Sequence, residues 1–197
     1  MNYTKLKSIE KLYFGYEEIS KTLGITPGSA MVSANRYVNQ GILLRVKRNT
    51  YVLRDRWDAL TKEEKFTIAN IIQVPSYISL MTALDYYEIT TQMQRDFIES
   101  VAVKRTKKAD VSDTAFNFTK INKGLYFGFA KKKGFFIATP EKAFLDAVYF
   151  MSIKRYNLDL SSIDRGKLNI GEIKAISEKF PEKTKEVLKE YGYIRKT

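Results

Sequence analysis

A polar stripe without acidic residues runs along one predicted helix near the N-terminus. Its members recur at i, i+4, i+7 and i+11, so they share one helix face within about 60° of arc: Ser29, Ser33, Arg36 and Gln40. Hydroxyl, guanidinium and amide groups are the donors and acceptors that read base edges in the major groove of DNA. An ordinary solvated face mixes Lys with Glu, so this pattern favours a surface that contacts nucleic acid.

Three cationic side chains follow the stripe in a predicted β-hairpin. Residues 43–47 and 50–53 alternate like two strands, and the intervening Arg48-Asn49 suits a tight turn because Asn tolerates a positive φ. Arg45, Lys47 and Arg48 lie towards the hairpin tip, where they would meet phosphates or a minor groove.

The elements that must position these groups are three helices, predicted at 4–12, 16–23 and 27–40. Gly24 suits a left-handed cap at the end of the second helix, and Thr26-Pro27 suits the start of the third. Two helices joined by a short turn that contains Gly are typical of a helix-turn-helix, and the hairpin after them makes it a winged helix-turn-helix. The predicted DNA-binding residues are Thr26, Ser29, Ser33, Arg36, Gln40, Arg45, Lys47 and Arg48.

The pattern changes after residues 54–58, which are predicted to be a charged linker. We therefore predict two domains, residues 1–58 and 59–197, and an α+β fold overall. The second domain is expected to pack helices on an antiparallel sheet. Its predicted helices are 62–73, 79–87, 139–151, 171–180 and 181–191, and its predicted strands are 98–103, 115–121, 125–130 and 135–138.

The composition restricts the chemistry of the chain. Its 197 residues include 34 Lys and Arg, 22 Asp and Glu, no Cys and no His, so the net charge is 34 − 22 = +12. Without thiol or imidazole there is no Cys/His zinc site, no disulfide and no Ser–His or Cys–His nucleophile. The charge excess is uneven: residues 1–60 and residues 111–156 each carry +5. We expect a cytoplasmic protein with anionic partners and no membrane segment.

An enzymatic alternative would rest on carboxylates and Lys. An acid upstream of a Glu-x-Lys triplet occurs as Asp164 followed by Glu172 and Lys174, but in a helical pattern rather than across strands. No glycine-rich phosphate loop is present. We predict no catalytic residue, no metal site and no cofactor.

Two segments of the second domain resemble a known family. Residues 79–87 read S-L-M-T-A-L-D-Y-Y, and residues 138–146 read A-T-P-E-K-A-F-L-D. They resemble the AbiEi family, the antitoxins and transcriptional regulators of type IV, or abortive-infection, toxin–antitoxin systems of phage defence. The motif residues are Pro140, Glu141, Lys142 and Asp146. Residues 47–51 depart from the Arg-Gly-hydrophobic-Tyr wing that is common in that family.

The resemblance implies a function in two parts. The first domain would bind repeats in its own promoter, as duplex DNA, and repress transcription. The second would counteract a nucleotidyltransferase-like toxin without necessarily forming a stable complex with it.

The residues alone give a structural interpretation of the same motif. Thr139 and Pro140 begin a helix, Glu141 suits its positive end, and Lys142 and Asp146 could form a surface ion pair at i, i+4. The basic segments 104–108 and 131–133 are read as hairpin turns, or as further contacts with DNA, a toxin or its nucleic-acid substrate. A winged-helix regulator unrelated to a toxin and a basic RNA-binding protein remain alternatives.

Overall fold

The computed structural model describes residues 2–195, and the chain divides into two units. The N-terminal unit comprises residues 1–68 with 111–113, and the C-terminal unit comprises residues 69–110 with 114–197. The outer ends of the two predicted domains, residue 1 and residues 196–197, lie outside the described range. With several helices and a six-stranded sheet, the fold is α+β.

The N-terminal unit begins with a 3-10 helix, Asn2–Ser8, where the sequence predicts a helix over 4–12. The helix ends earlier than predicted: the Ser8 hydroxyl and the Ile9 amide both bond back three residues, to the carbonyls of Lys5 and Leu6. The remaining elements are α1 (Tyr16–Leu23), α2 (Pro27–Asn39), β1 (Leu43–Lys47), β2 (Thr50–Leu53), α3 (Arg54–Trp57) and the start of α4 (Lys62–Ile72).

The N-terminal unit folds around one apolar cluster. Leu6, Ile19, Ala30, Ala34 and Leu43 are almost wholly buried in it, so the 3-10 helix, α1, α2 and β1 all contribute. The predicted linker, residues 54–58, is instead mostly the short helix α3, because the large side chain of Trp57 is completely buried.

The C-terminal unit contains a six-stranded sheet in the order β5-β6-β4-β3-β8-β7. The strands are β3 (Ser76–Ile78), β4 (Phe97–Ala102), β5 (Lys107–Val111), β6 (Thr114–Lys120), β7 (Phe129–Lys132) and β8 (Phe135–Ala138). The helices are the rest of α4, then α5 (Leu80–Tyr86), α6 (Pro140–Ser152), α7 (Ile170–Ser177) and α8 (Glu182–Glu190). Helix α6 packs against α5, α7 and α8.

The expectation of an antiparallel sheet is wrong. The pairs β3–β4 and β7–β8 are antiparallel, whereas β4–β6 and β3–β8 are parallel. Alternation of apolar and polar residues predicts a strand but not its direction, which depends on the connections between strands.

Two strands were missed and one was misplaced. β3 is short, and the Lys-rich start of β5 reads as a turn in the sequence although Lys is typical of an edge strand. The strand predicted at 125–130 is a 3-10 helix, Lys123–Leu125, followed by Gly128 at φ 70° and only then by β7. None of the helices within residues 2–195 is both long and apolar enough to cross a lipid bilayer.

Candidate nucleic-acid interface

Local sequence signals fix both ends of the turn between α1 and α2. Gly24 adopts φ 65°, and its amide closes α1 by donating to the carbonyl of Ser20. Thr26 caps α2: its hydroxyl accepts the Ser29 amide at 3.2 Å and donates to the Ser29 hydroxyl at 3.0 Å. Pro27 occupies the first position of α2, where no amide hydrogen is needed. Thr26 therefore has a structural role at the start of this helix.

The predicted packing face and the predicted polar stripe occupy different sides of α2. Ala30, Ala34 and Tyr37 are buried, as the periodicity requires, and Val38 is half-buried. Of the stripe, Ser29, Arg36 and Gln40 are exposed and Ser33 is half-buried. The Arg36 guanidinium lies 5.4 Å from the ring centre of Tyr37, a distance at which cation and ring attract each other.

A second row of exposed residues, missed in the sequence, lies along the middle of the accessible side of α2. Gly28, Val32, Asn35 and Asn39 follow the same i, i+4, i+7, i+11 spacing, and Val32 is 70% exposed. Asn amides recognise adenine and small apolar side chains contact the thymine methyl group. The absence of acidic residues extends across both rows and is the sequence signal that could have indicated the second one.

The hairpin contacts α2 through Arg45. Its guanidinium donates to the Asn35 side-chain oxygen and lies 5.8 Å from the ring centre of Tyr51. Lys47 and Arg48 are exposed on the same hairpin. Between α2 and the hairpin is a cleft of about 480 Å³, lined by Tyr16, Met31, Asn35, Arg45, Arg48, Asn49 and Tyr51. The structure thus brings the predicted residue Arg45 beside the newly found Asn35.

The hairpin tip is fastened to the beginning of α1. Asn49, at φ 53°, accepts the Tyr16 amide at 2.8 Å and donates to both carboxylate oxygens of Glu17 at 3.1 Å. Phe14 and Tyr51 also exchange two backbone hydrogen bonds, of 3.0 and 2.9 Å. The positive φ predicted for Asn49 is present, and the tip is held by side-chain as well as backbone contacts.

The acidic residues nearest to this surface belong to α1 and are already engaged. Glu18 accepts from the Lys11 ammonium at 2.6 Å and from the Gly15 amide at 3.0 Å, and these bonds lower the pKa of its carboxyl group. The exposed positions of α2 itself carry no carboxylate, so its accessible side presents cationic, amide and hydroxyl groups.

The residues of the Pro-Glu-Lys motif lie elsewhere, in the C-terminal unit, where Thr139 and Pro140 begin α6 as predicted. The expectation of a surface ion pair is wrong: Lys142 and Asp146 do form an ion pair, but both side chains are completely buried. Glu141 is also buried, and one of its carboxylate oxygens accepts the Asn169 amide at 3.1 Å. The i, i+4 spacing is the same on a surface and in a core, so it could not reveal the burial.

Hydrogen bonds satisfy both charges of the buried pair. The Lys142 ammonium donates to Asp146 and, at 2.9 Å, to the Tyr77 hydroxyl. Asp146 accepts further bonds from the Tyr77 hydroxyl at 2.9 Å and from the Ser79 hydroxyl at 2.8 Å. Ser79 occupies the N-cap position of α5, but its hydroxyl bonds Asp146 instead of the helix amides.

Aromatic rings enclose the Lys142 end of this network. The ammonium lies 5.1 to 5.4 Å from the ring centres of Tyr77, Phe127 and Phe180. Burial lowers the pKa of Lys142 and raises the pKa of Asp146, and each charge opposes that effect on the other. The side chains of Lys142 and Asp146 link α6 to Tyr77 of β3 and to Ser79, and they are inaccessible to a partner.

The remaining sequence candidates belong to other elements of the C-terminal unit. Glu172 and Lys174 are exposed on α7, and Asp164 bonds the Gly166 amide at 3.0 Å as the cap of a short 3-10 helix, Arg165–Lys167. Lys107 and Lys108 belong to β5. Lys132, at the end of β7, lies 4.7 Å from the ring centre of Tyr87. Within residues 2–195 no three Asp or Glu side chains come close enough together to hold a metal ion.

Comparison with known proteins gives no assignment for either unit. No protein-family model matches the chain, and no curated protein is significantly similar to it.

Proposed function

We propose that the N-terminal unit is a winged helix-turn-helix that binds duplex DNA through α2 and the hairpin, and that the protein is a transcriptional repressor. The observation that carries this proposal is the exposed side of α2, which has no acidic residue and lies beside the exposed cations of the hairpin. The order of elements supports it: a helical segment, a short bridge at Phe14, α1, a three-residue turn, α2 and a two-stranded hairpin.

Specific contacts follow from which residues are accessible. In the DNA complex α2 would enter the major groove. Its second row would present Val32, Asn35 and Asn39 there, and its polar stripe would present Arg36 and Gln40. Arg36 suits guanine, and the two Asn side chains suit adenine. Arg45, Lys47 and Arg48 would contact the phosphates beside that groove.

We further propose that the repressor is the antitoxin of a type IV toxin–antitoxin system and acts on its own promoter. The support is the resemblance of residues 79–87 and 138–146 to the AbiEi family. Because the motif side chains Lys142 and Asp146 are buried, neutralisation of a nucleotidyltransferase-like toxin would depend on other residues of the C-terminal unit.

DNA binding is tested by fluorescence anisotropy with a duplex taken from upstream of the reading frame, a random duplex and a single-stranded RNA of the same length. We expect Arg36→Ala to weaken binding to the upstream duplex by about 1–3 kcal/mol and to the random duplex by much less. Lys183→Ala, which removes an exposed cation of α8, is the control and should leave both affinities unchanged. RNA bound more tightly than either duplex would contradict the proposal and favour the RNA-binding alternative.

The antitoxin role needs a separate experiment. A nucleotidyltransferase-like gene next to this reading frame would be induced with and without the chain, and growth would be followed. We expect wild type and Arg36→Ala to restore growth equally, because Arg36 belongs to the DNA-binding surface. No rescue by the wild type would contradict the antitoxin role and leave a regulator unrelated to a toxin.

A further inference from the structure

A cationic cleft in the C-terminal unit has no part in the proposed function. It occupies about 660 Å³ and is lined by Arg165 of a 3-10 helix, by one face of α7, by the end of α8 and by the segment that follows α8. Its charged lining groups are Arg165, Lys174, Lys189 and Arg195, opposed by the single carboxylate of Glu190.

Three of these four cations form no ion pair with any residue that the structure describes. Among residues 2–195, no carboxylate lies within ion-pair distance of Arg165, Lys174 or Arg195, whereas Lys189 lies 3.5 Å from Glu182. Cations that gather around a concave surface without counter-charges repel one another, and a bound anion relieves that repulsion. The excess of positive charge therefore indicates an anionic ligand with more than one negative charge.

Arg165 is fixed in place before any ligand arrives. Its guanidinium donates to the Gly192 carbonyl and lies 4.9 Å from the ring centre of Tyr193, which is itself buried. A guanidinium held in this way presents its remaining N–H groups in a planar fork that fits phosphate oxygens. Ile170 and Gly171 begin α7 beside it, so the positive end of the helix dipole adds to the same field.

The rest of the lining is apolar and the volume is suited to a small organic molecule. Ile170, Tyr193 and Ile194 form the apolar part, and pockets for such ligands usually measure about 300–1,000 Å³. A free phosphate ion would leave most of this space unused. We propose that the cleft binds a nucleoside di- or triphosphate, with its phosphates on Arg165, Lys174 and Arg195 and its base on the apolar wall.

The proposal is tested on the full chain by isothermal titration calorimetry with ATP, AMP and inorganic tripolyphosphate at low ionic strength. The variant Lys174→Gln/Arg195→Gln removes two exposed lining cations, and Lys123→Gln/Lys183→Gln removes two exposed cations outside the cleft. We expect the first variant to bind ATP about tenfold more weakly, or worse, and the second to bind it like the wild type. ATP should also bind more tightly than AMP and than tripolyphosphate.

Three outcomes would overturn this inference. An equal loss of ATP affinity in the two variants would mean that ATP binding depends only on the net charge of the chain. Tripolyphosphate bound as tightly as ATP would remove the role of the apolar wall and with it the nucleotide. A selective loss of duplex DNA binding in Lys174→Gln/Arg195→Gln would assign these cations to the DNA backbone instead of a nucleotide.

Discussion

A buried ion pair stabilises a fold only if its attraction and hydrogen bonds offset the loss of hydration. Lys142 and Asp146 meet that condition through Tyr77, Ser79 and the surrounding rings. Removing one partner leaves the other charge unpaired in a dry, apolar environment. The loss of unfolding free energy then includes the cost of burying that unpaired charge, and it is therefore larger than the net contribution of the pair.

We expect Lys142→Met to lower the free energy of unfolding by about 3–5 kcal/mol, measured by urea denaturation at pH 7. The double variant Lys142→Met/Asp146→Leu should lose less than the two single variants together, because it leaves no unpaired charge. Lys7→Met, which breaks the exposed ion pair with Asp55, should change stability hardly at all. A cost for Lys142→Met as small as that for Lys7→Met would show that the network contributes little.

Glu99 is another buried acid, and its titration is expected to make stability depend on pH. Burial raises the pKa of its carboxyl group to about 7, although Tyr156 donates a hydrogen bond of 2.8 Å to it. Between its unfolded pKa, about 4.5, and 7, the folded chain holds more protons than the unfolded chain. The contribution of Glu99 to stability is therefore fully present below about pH 4.5 and is lost as the pH rises through 7, by on the order of 3 kcal/mol.

The variant Glu99→Gln isolates this effect. Its amide keeps the shape of the side chain and an oxygen that can accept a hydrogen bond from Tyr156, but it does not ionise in this pH range. Urea denaturation between pH 5 and pH 7.5 should give a falling stability for the wild type relative to the variant. Parallel pH profiles would mean that Glu99 is not the titrating group.

Single residues were predicted well where their role is local and poorly where it depends on tertiary contacts. The caps Gly24, Thr26 and Thr139 act within one turn of backbone, so residue type and spacing sufficed to predict them. The exposure of Val32 was not predicted, and Lys142 was predicted at the surface although its side chain is completely buried. Their burial depends on which other segments of the chain cover them, and the spacing of residues within one helix does not reveal those segments.

At the level of elements, the connection between the 3-10 helix Lys123–Leu125 and β7 depends on Gly128. Its φ of 70° is strained for any residue with a side chain, and a Cβ there would lie 2.9 Å from the Cγ of the buried Lys142. Its carbonyl also accepts the Thr139 amide at 2.9 Å, which ties the connection to the start of α6. A side chain at this position would both strain the backbone and displace Lys142.

We expect Gly128→Ala to destabilise the chain by about 2 kcal/mol or more, from positive-φ strain and overpacking. Gly124→Ala is the matched control, since a Cβ there has only the Asn122 side-chain oxygen nearby, at 3.7 Å. Thermal unfolding followed by circular dichroism compares the two. Equal midpoints would mean that the connection can shift to accommodate the methyl group.

Helices and strands were predicted to different extents for a physical reason. α1, α2, α4 and α6 carry a 3.6-residue period and caps within their own sequence, and they begin within a residue of the prediction. The parallel pairing of β4 with β6 and of β3 with β8 joins segments that are distant in sequence. Which strands pair, and in which direction, depends on contacts across the whole C-terminal unit.

For the whole molecule, the net charge of +12 exceeds what the proposed DNA-binding surface requires. That surface carries four exposed cations, Arg36, Arg45, Lys47 and Arg48, while the second basic region lies in residues 111–156. Composition predicted an anionic partner but could not assign the charge to one site or two. The number of phosphates contacted by the whole chain is therefore the informative quantity.

Salt dependence measures that number, because each phosphate neutralised on duplex DNA releases condensed counterions. If α2 and the hairpin contact about five phosphates, the slope of log K against log salt should be about −4 to −5. Replacing the three Lys residues of the 131–133 segment by Gln should leave this slope unchanged, whereas Arg45→Gln/Arg48→Gln should flatten it by about two units. The wild-type chain could instead show a slope near −8, and the 131–133 variant could bring it back towards −5. That result would mean that the C-terminal unit also binds the DNA backbone and that the interface extends well beyond α2.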